Sequence, residues 1–166
     1  ISAVFFLGCI EDENDGLELE ISGLEHNYDE GEYIVFDVKL TNNGEEKTIG
    51  DMHLQASSWN EEGNRTLDVF ITTPEGYKIH CIGPVIESLP QAVLLRANQT
   101  IRETVNLSDI PMGRSYDDLG NEYQFGPGFY SIYAVYTSYE MAGSDGPETD
   151  GWQGSLADRR PFQRTR

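Results

Sequence analysis

The chain has 166 residues, of which 29 are Asp or Glu and 11 are Lys or Arg, and its formal net charge is −18. This charge argues against nucleic acid as a partner, because binding phosphates requires matching Lys and Arg side chains, and it disfavours adsorption to anionic lipid. Nine Tyr and seven Phe argue against disorder. No apolar run reaches the ~18 residues that cross a bilayer, and the length fits one domain.

The first ten residues are apolar, and an acidic segment follows them directly. Residues 1–10 read Ile-Ser-Ala-Val-Phe-Phe-Leu-Gly-Cys-Ile, and residues 11–16 contain four acids. An apolar run that ends in small residues before a polar chain is typical of the end of a secretory signal. The four residues that end at Cys9 (Phe-Leu-Gly-Cys) also resemble a prokaryotic lipobox, in which the Cys becomes lipid-modified after cleavage before it.

These features predict the remnant of a lipoprotein signal in residues 1–9 and an acidic tether in residues 10–16. The lipobox resemblance implies lipidation at Cys9 and an extracellular or periplasmic location, with the membrane contacted through the N-terminal lipid alone. The alternative interpretation is a buried N-terminal strand in which Cys9 is an ordinary core residue.

Apolar and polar residues then alternate with a period of two, which predicts β-strands with one wet face. In the strongest example Ile34, Phe36 and Val38 alternate with more polar neighbours, and an Asn-Asn-Gly turn follows. Seven strands are predicted, over residues 17–22, 34–41, 67–71, 77–82, 101–107, 129–137 and 152–156. The last of these is expected to pair with residues 129–137 as a final hairpin.

One predicted strand carries a charge on its apolar face. Glu103 shares a face with Ile101 and Val105, so this strand is expected at the edge of a sheet. No window of about 12 residues combines a helical apolar stripe with caps. The sequence therefore predicts an all-β protein, an antiparallel β-sandwich of about seven strands without a second domain.

Residues 125–136 (Phe-Gly-Pro-Gly-Phe-Tyr-Ser-Ile-Tyr-Ala-Val-Tyr) resemble a pattern near the end of immunoglobulin-like domains of secreted prokaryotic surface lipoproteins. Residues 38–44 match the family's strand that runs into an Asn-x-Gly turn. Residues 151–156 (Gly-Trp-Gln-Gly-Ser-Leu) are similar to its Trp-x-Gly-x-Leu final strand. The resemblance implies an immunoglobulin-like β-sandwich over residues 17–157.

Three residues are expected to define that fold. Gly128 and Tyr130 match a tyrosine corner, in which the Tyr hydroxyl bonds to backbone a few residues upstream. Trp152 belongs to the final-strand motif. The sequence departs from the family at residues 158–166, where Pro161 and a pair of Arg residues would disturb a closing strand. We therefore expect a basic tail of uncertain structure there.

The residues that most often carry chemistry are sparse and badly spaced for it. None of His26, His53 and His80 has a metal-binding spacing, and His80 and Cys81 are adjacent on a strand, where side chains point to opposite faces. Cys81 is expected to be a buried free thiol, with a bridge to Cys9 as the alternative. No nucleophile motif is present, so the sequence predicts neither an enzyme nor a cofactor.

Two loops are weaker candidates for binding. Asp145, Glu148 and Asp150 offer carboxylates to Ca²⁺ without matching the EF-hand spacing, and a solvated charged loop is the alternative. The insertion over residues 109–124 contains Arg114-Ser115, a candidate inhibitor loop. Aromatic residues in or beside loops are further candidates for stacking on sugars or anchoring a partner, with core packing as the alternative: Trp59, Tyr123, Tyr139 and Trp152.

The function expected from these features is that of a non-catalytic, lipid-anchored immunoglobulin-like domain at the cell surface. It would bind, or space from the envelope, an unknown protein or glycan. One alternative is a proteinase inhibitor that acts through an exposed loop, since one group of domains with this pattern resembles intracellular proteinase inhibitors. Another is an accessory module of a secreted hydrolase.

Overall fold

The computed structural model describes residues 15–54, 66–81, 92–109, 112–113, 124–138 and 151–166. All regular secondary structure in these ranges is β-strand, which confirms the all-β prediction. Eleven strands lie in them: β1 (Leu17–Ser22), β2 (Asn27–Tyr28), β3 (Val35–Asn42), β4 (Lys47–Gly50), β5 (Leu67–Thr72), β6 (Lys78–Cys81), β7 (Ala92–Leu95), β8 (Thr100–Asn106), β9 (Met112–Gly113), β10 (Gly128–Ser138) and β11 (Gly154–Arg164). Among the described residues, no helix is long and apolar enough to cross a membrane.

The strands form two main sheets and one separate pair. Sheet A has the order β1-β3-β8, sheet B has the order β2-β11-β10-β5-β6-β9, and β4 pairs with β7. All strand pairs are antiparallel except β2 with β11, which is parallel. Sheet B is therefore mixed, and the expectation of purely antiparallel sheets is wrong at this edge. The seven predicted strands correspond to β1, β3, β5, β6, β8, β10 and β11.

Period-two alternation explains why both sheets bury one face. In β3 the side chains of Phe36, Val38 and Leu40 are buried while their neighbours are partly or fully exposed. Buried residues of both sheets belong to one hydrophobic core, to which sheet A contributes Leu19, Phe36, Val38, Leu40 and Val105, and sheet B contributes Val69, Ile71, Ile132, Ala134, Tyr136 and Phe162. Burying each of the larger side chains stabilises the fold by about 1.5–3 kcal/mol.

The edges of sheet A carry charged contacts. Strand β8 forms one edge, as the acidic residue on its apolar face predicts, and Glu103 lies 3.8 Å from His53 Nδ1. At the other edge, the Ile21 backbone N–H in β1 donates a 2.8 Å hydrogen bond to Asp158 Oδ2 in β11. This bond links the two sheets and satisfies an edge amide that has no strand partner on that side.

Strand β11 continues through the segment that the sequence analysis separates as a basic tail. Pro161 lies opposite Ser131 of β10, and Phe162 is buried in the core. The N–H groups of Gln163 and Thr165 donate to the carbonyls of His26 and Tyr28, so the odd-numbered amides of β11 face β2 rather than β10.

An N–H at position 161 would therefore face the β2 side, and proline has no N–H to place there. Strand β2 runs parallel to β11 and begins at Asn27, opposite Gln163, so it has no residue opposite the proline. No ladder hydrogen bond is lost, which explains why the proline does not end the strand.

Two residues of the expected tether belong to the folded part of the chain. The carboxylate of Asp15 lies 2.7 Å from Lys47 Nζ, and the Gly16 carbonyl accepts a 2.7 Å hydrogen bond from the Asn43 N–H. Residues 10–14 lie outside the described ranges. The folded part thus begins no later than Asp15.

Candidate functional site

The outward face of sheet B carries a stack of two aromatic rings and two cations. Phe70 of β5 lies directly opposite Tyr133 of β10, and their rings stack at a centroid distance of 4.8 Å and an angle of 6°. Lys78 Nζ lies 3.7 Å from the centre of the Phe70 ring, and Arg159 Cζ lies 5.1 Å from that of Tyr133. We call these four residues the cation–aromatic ladder.

Strand alternation places the ladder on the face opposite the core. Val69 and Ile71 on either side of Phe70 are buried, as are Ile132 and Ala134 on either side of Tyr133. The intervening side chains must therefore point away from the core.

The ladder fills both faces of each ring. Strands β6 and β11 flank the β5–β10 pair on opposite sides. Lys78 therefore covers the far face of Phe70, and Arg159 covers the far face of Tyr133. An aromatic pair of this kind stabilises the folded chain by about 0.5–1.5 kcal/mol and an exposed cation–π contact by about 0.5–1 kcal/mol. These contacts hold the four side chains of the ladder in place.

A histidine–carboxylate pair borders the ladder. His80 Nδ1 lies 3.0 Å from Asp68 Oδ1, and the centre of the His80 ring lies 5.7 Å from that of Phe70. Both side chains are about one quarter exposed, at 24% each. The pair adds polar groups to the same outward surface.

Cys81 follows His80 in sequence and points the other way, into the core. Burial, with a smaller contribution from the Asp68 carboxylate, raises the pKa of the Cys81 thiol to about 12. The thiol is therefore protonated and unreactive at neutral pH, and it cannot share a metal ion with His80.

The two ladder cations have no acidic partner in the part of the chain that the structure describes. Arg159 Nη2 donates a 3.0 Å hydrogen bond to the Ser131 hydroxyl, and no ion pair involves either Arg159 or Lys78. Other bases do form ion pairs, namely Lys47 with Asp15, Arg102 with Asp37 and Arg160 with Asp158. Within the described ranges, the ladder thus presents two positive charges without an ion pair, in a chain whose net charge is −18.

One end of the outward face exposes a large apolar side chain. Phe129 shares the outward side of β10 with Tyr133 and is 70% exposed. A Cβ at its neighbour Gly128 would lie 2.4 Å from Cγ of Pro74, so only glycine fits this start of the strand. Tyr130 is turned toward the core, and its hydroxyl donates a 2.7 Å hydrogen bond to the Gly126 carbonyl, a bond of the kind that a tyrosine corner makes.

Trp152 packs against the core next to β11. Its ring stacks on Tyr136 at 6.2 Å and 11°, and a Cβ at Gly154 would lie 2.6 Å from the indole. The Tyr136 hydroxyl donates a 2.6 Å hydrogen bond to the Gly50 carbonyl, and burial raises the pKa of this phenol to about 12. Trp152 therefore has a packing role, and one of its ring faces is covered.

The remaining histidines assemble no reactive centre in the described ranges. His53 Nε2 lies 2.8 Å from Asp51 Oδ2 on the surface, and His26 is exposed. In those ranges, no histidine hydrogen-bonds to a Ser or Cys side chain, and no group of three or more His, Cys, Asp or Glu side chains is arranged to hold a metal ion.

Several residues that the sequence singles out lie outside the described residues. These are the lipidation candidate Cys9, the calcium candidates Asp145, Glu148 and Asp150, the inhibitor-loop candidates Arg114 and Ser115, and the aromatic residues Trp59, Tyr123 and Tyr139. Of the insertion over residues 109–124, the structure describes Asp109, β9 and Gln124.

No family model matches the sequence, and no curated protein gives a significant match. Among solved structures, a β-glucosidase from Listeria innocua in complex with laminaribiose is similar to 90% of this chain, with 12% sequence identity and a TM-score of 0.40. The chain spans 16% of that enzyme. AvmM, which catalyses macrocyclization in alchivemycin A biosynthesis, has 14% identity and a TM-score of 0.44 over 92% of this chain and 90% of its own. These likenesses are distant, and no function is drawn from them.

Proposed function

We propose that the chain is a non-catalytic immunoglobulin-like module that binds another macromolecule through the outward face of sheet B. The observation that carries this proposal is the cation–aromatic ladder, in which two cations without an ion pair among the described residues flank a stacked aromatic pair on the outward face of sheet B. Phe129 extends this face with an exposed apolar ring. Aromatic and Arg side chains are enriched in the parts of interfaces that contribute most to binding.

The strand order supports the immunoglobulin-like part of the proposal. Sheet A joins the first, second and fifth of the seven predicted strands, and sheet B joins the third, sixth and seventh. Constant-type immunoglobulin domains place strands A, B, E and D in one sheet and C, F and G in the other, so six of the seven strands lie in the expected sheets and the fourth does not. The fourth strand, β6, here pairs with the third.

A site-specific crosslinking experiment tests the binding face. A photo-crosslinking amino acid at Val135, which lies on the outward side of β10, is compared with one at Thr104, on the exposed side of β8 in sheet A. In cells of the natural source, we expect the Val135 variant to give an adduct of one defined mass and the Thr104 variant to give none. Adducts of equal yield from both positions, or none from Val135, would overturn the proposal.

We further propose that the module is anchored at the cell surface through lipid on Cys9. The support is the resemblance of residues 6–9 to a lipobox and the acidic residues that follow. Mass spectrometry of the native protein tests this step. We expect the mature chain to begin at Cys9 and to carry the mass of a lipid, and an unmodified Cys9 preceded by residues 1–8 would contradict it.

A further inference from the structure

We propose that the cation–aromatic ladder recognises an extended acidic polypeptide segment in which two carboxylates lie four residues apart. This inference rests on the proposed function, since it names the partner chemistry of the same face. The ladder consists of Lys78, Phe70, Tyr133 and Arg159, as defined above.

The ring faces of the ladder are already occupied. Tyr133 covers one face of Phe70 and Lys78 covers the other, while Arg159 covers the remaining face of Tyr133. Stacking on a sugar requires a free ring face, so the ladder does not offer a stacking platform for glycans. What it presents outward are the edge of the Phe70 ring, whose C–H groups carry the positive part of the aromatic quadrupole, and the Tyr133 hydroxyl, which can donate a hydrogen bond.

The charge of the ladder is complementary to that of an acidic segment. The positive edge of Phe70 and the Tyr133 hydroxyl lie between two cations that have no ion pair among the described residues, so the ladder attracts a negative group along its length. Asp68, the one acid among the outward side chains of β5, β6, β10 and β11, is already bonded to His80. The ladder is thus a local exception in a strongly acidic chain.

The net charge also bears on the kind of anion. A dense polyphosphate would be repelled by a protein with a formal charge of −18. A polypeptide with few carboxylates is repelled less. At physiological ionic strength, salt screens this repulsion beyond about 8 Å, while the attraction at the ladder acts over shorter distances and persists. Side-chain carboxylates are therefore the anions that the ladder attracts and that the rest of the molecule repels least.

The distance between the two cations of the ladder fits the repeat of an extended chain. Strands β6 and β11 are three strand positions apart, and neighbouring strands lie about 4.8 Å apart, so the two ends of the ladder are about 14 Å apart. An extended chain rises about 3.3 Å per residue and places every second side chain on the same face. Side chains at positions i and i+4 therefore match the distance between Lys78 and Arg159, and the side chain at i+2 lies over the aromatic pair.

Labelled synthetic peptides test the inference by fluorescence anisotropy with the whole chain. The probe peptide has two Glu four positions apart in a Thr-rich extended sequence, and two comparison peptides have both Glu replaced by Gln or the two Glu on adjacent positions. We expect the probe to bind at least about tenfold more tightly than the Gln peptide. Lys78→Gln and Arg159→Gln should each weaken its binding by roughly two- to fivefold, as expected for partly exposed ion pairs.

Arg102→Gln is the matched control, because Arg102 is an exposed Arg on sheet A that pairs with Asp37, and it should leave peptide binding unchanged. Thermal melts of all variants verify that each is folded. Equal binding of the Glu and Gln peptides, or equal losses in the Arg102 and Arg159 variants, would overturn the inference. Tighter binding of an oligogalacturonate than of the probe peptide would also overturn it, because the ligand would then be an acidic glycan. Sedimentation that shows self-association of the chain in place of peptide binding would overturn it as well.

Failure of this inference is distinguishable from failure of the proposed function. If no acidic peptide binds while the crosslinker at Val135 still yields a defined adduct, the face binds a macromolecule of different chemistry. If that adduct is also absent, the binding role of the face is itself wrong.

Discussion

The Tyr130 hydroxyl fixes the turn that leads into β10 through its 2.7 Å hydrogen bond to the Gly126 carbonyl. Tyr130→Phe removes this bond while keeping the ring, which packs on Phe162 and Phe125. We expect a loss of about 1–2 kcal/mol in the free energy of unfolding, because a partly buried acceptor loses its donor. Urea unfolding measures the loss.

Tyr33→Phe is the control for that substitution, because Tyr33 is 71% exposed. This variant should have the same midpoint as the parent chain. An equally small effect of both substitutions would show that the turn does not depend on the Tyr130 hydroxyl.

The buried thiol of Cys81 makes the free energy of unfolding fall at alkaline pH. Its pKa is raised from 9.0 to about 12 in the folded chain, so the thiol stays protonated there after it ionises in the unfolded chain. The stabilisation from this difference is complete below about pH 9 and is lost as the pH rises toward 12. While only the unfolded thiol ionises, the loss approaches about 1.4 kcal/mol per pH unit.

Urea unfolding between pH 8 and about pH 10, under reducing conditions, checks this prediction. Cys81→Ala should be less stable at every pH because it leaves a small cavity, but its stability should fall less steeply over this interval than that of the parent chain. Parallel curves for the two proteins would mean that other groups cause the alkaline loss. Tyr136, whose pKa is also raised to about 12, adds to the loss only above its ordinary value of 10.0.

At the scale of the strands, the alternation of apolar residues was sufficient to locate the long elements. Each of the seven predicted strands overlaps a strand of the structure, because a strand with one face in the core must alternate. Strands β2 and β9 have two residues each, which is too short for a period to show. The parallel pairing of β2 with β11 depends on contacts between the two ends of the chain, which no local pattern contains.

Strand β11 shows how a local rule can fail when the neighbouring strand is short. Proline costs a strand a ladder hydrogen bond only where a neighbouring strand offers a carbonyl to that position, and β2 begins only opposite Gln163. The length of β2 cannot be read from the residues around Pro161. The sequence therefore predicted the end of the last strand too early.

Phe162 makes this element testable, since it is 1% exposed and packs on the rings of Tyr28 and Tyr130. Phe162→Ala should destabilise the fold by about 3–5 kcal/mol, because it leaves a large cavity in the core. Gln163→Ala changes the next residue, which points the other way, and should cost much less. Chemical denaturation of both variants measures the difference. Similar, small losses in the two would mean that residues 158–164 are not part of the folded sheet.

The cation–aromatic ladder could not be predicted in the same way as the strands. Phe70 and Tyr133 each interrupt a run of inward apolar residues, and a large aromatic residue on the wet side of a predicted strand is a signal that could have been noticed. Their meeting depends on the register between β5 and β10, which is set by long-range pairing. The addition of Lys78 and Arg159 requires two further registers. Residue type was therefore readable, and position across the sheet was not.

At the scale of the whole molecule, charge is distributed unevenly. The chain carries 29 acids against 11 bases, yet the outward side of sheet B presents two cations that form no ion pair with any residue the structure describes. The general acidity keeps copies of the protein apart and soluble, and it opposes the compact state through self-repulsion. The two cations of the ladder lower, at this one place, the repulsion that an approaching acidic segment meets.

The excess of acids predicts that salt stabilises the fold. A net charge of −18 is confined to a smaller volume in the folded chain than in the unfolded chain, so screening lowers the energy of the folded state more. We expect the urea midpoint at neutral pH to rise as NaCl increases from about 0.02 M to 0.5 M, where the screening length falls to a few ångströms, and to level off beyond that. Choline chloride at equal ionic strength should raise the midpoint equally, because screening depends on charge and not on the identity of the cation. A midpoint that falls with salt would show that the ion pairs of the folded chain outweigh its self-repulsion, and a rise confined to one cation would indicate a specific binding site.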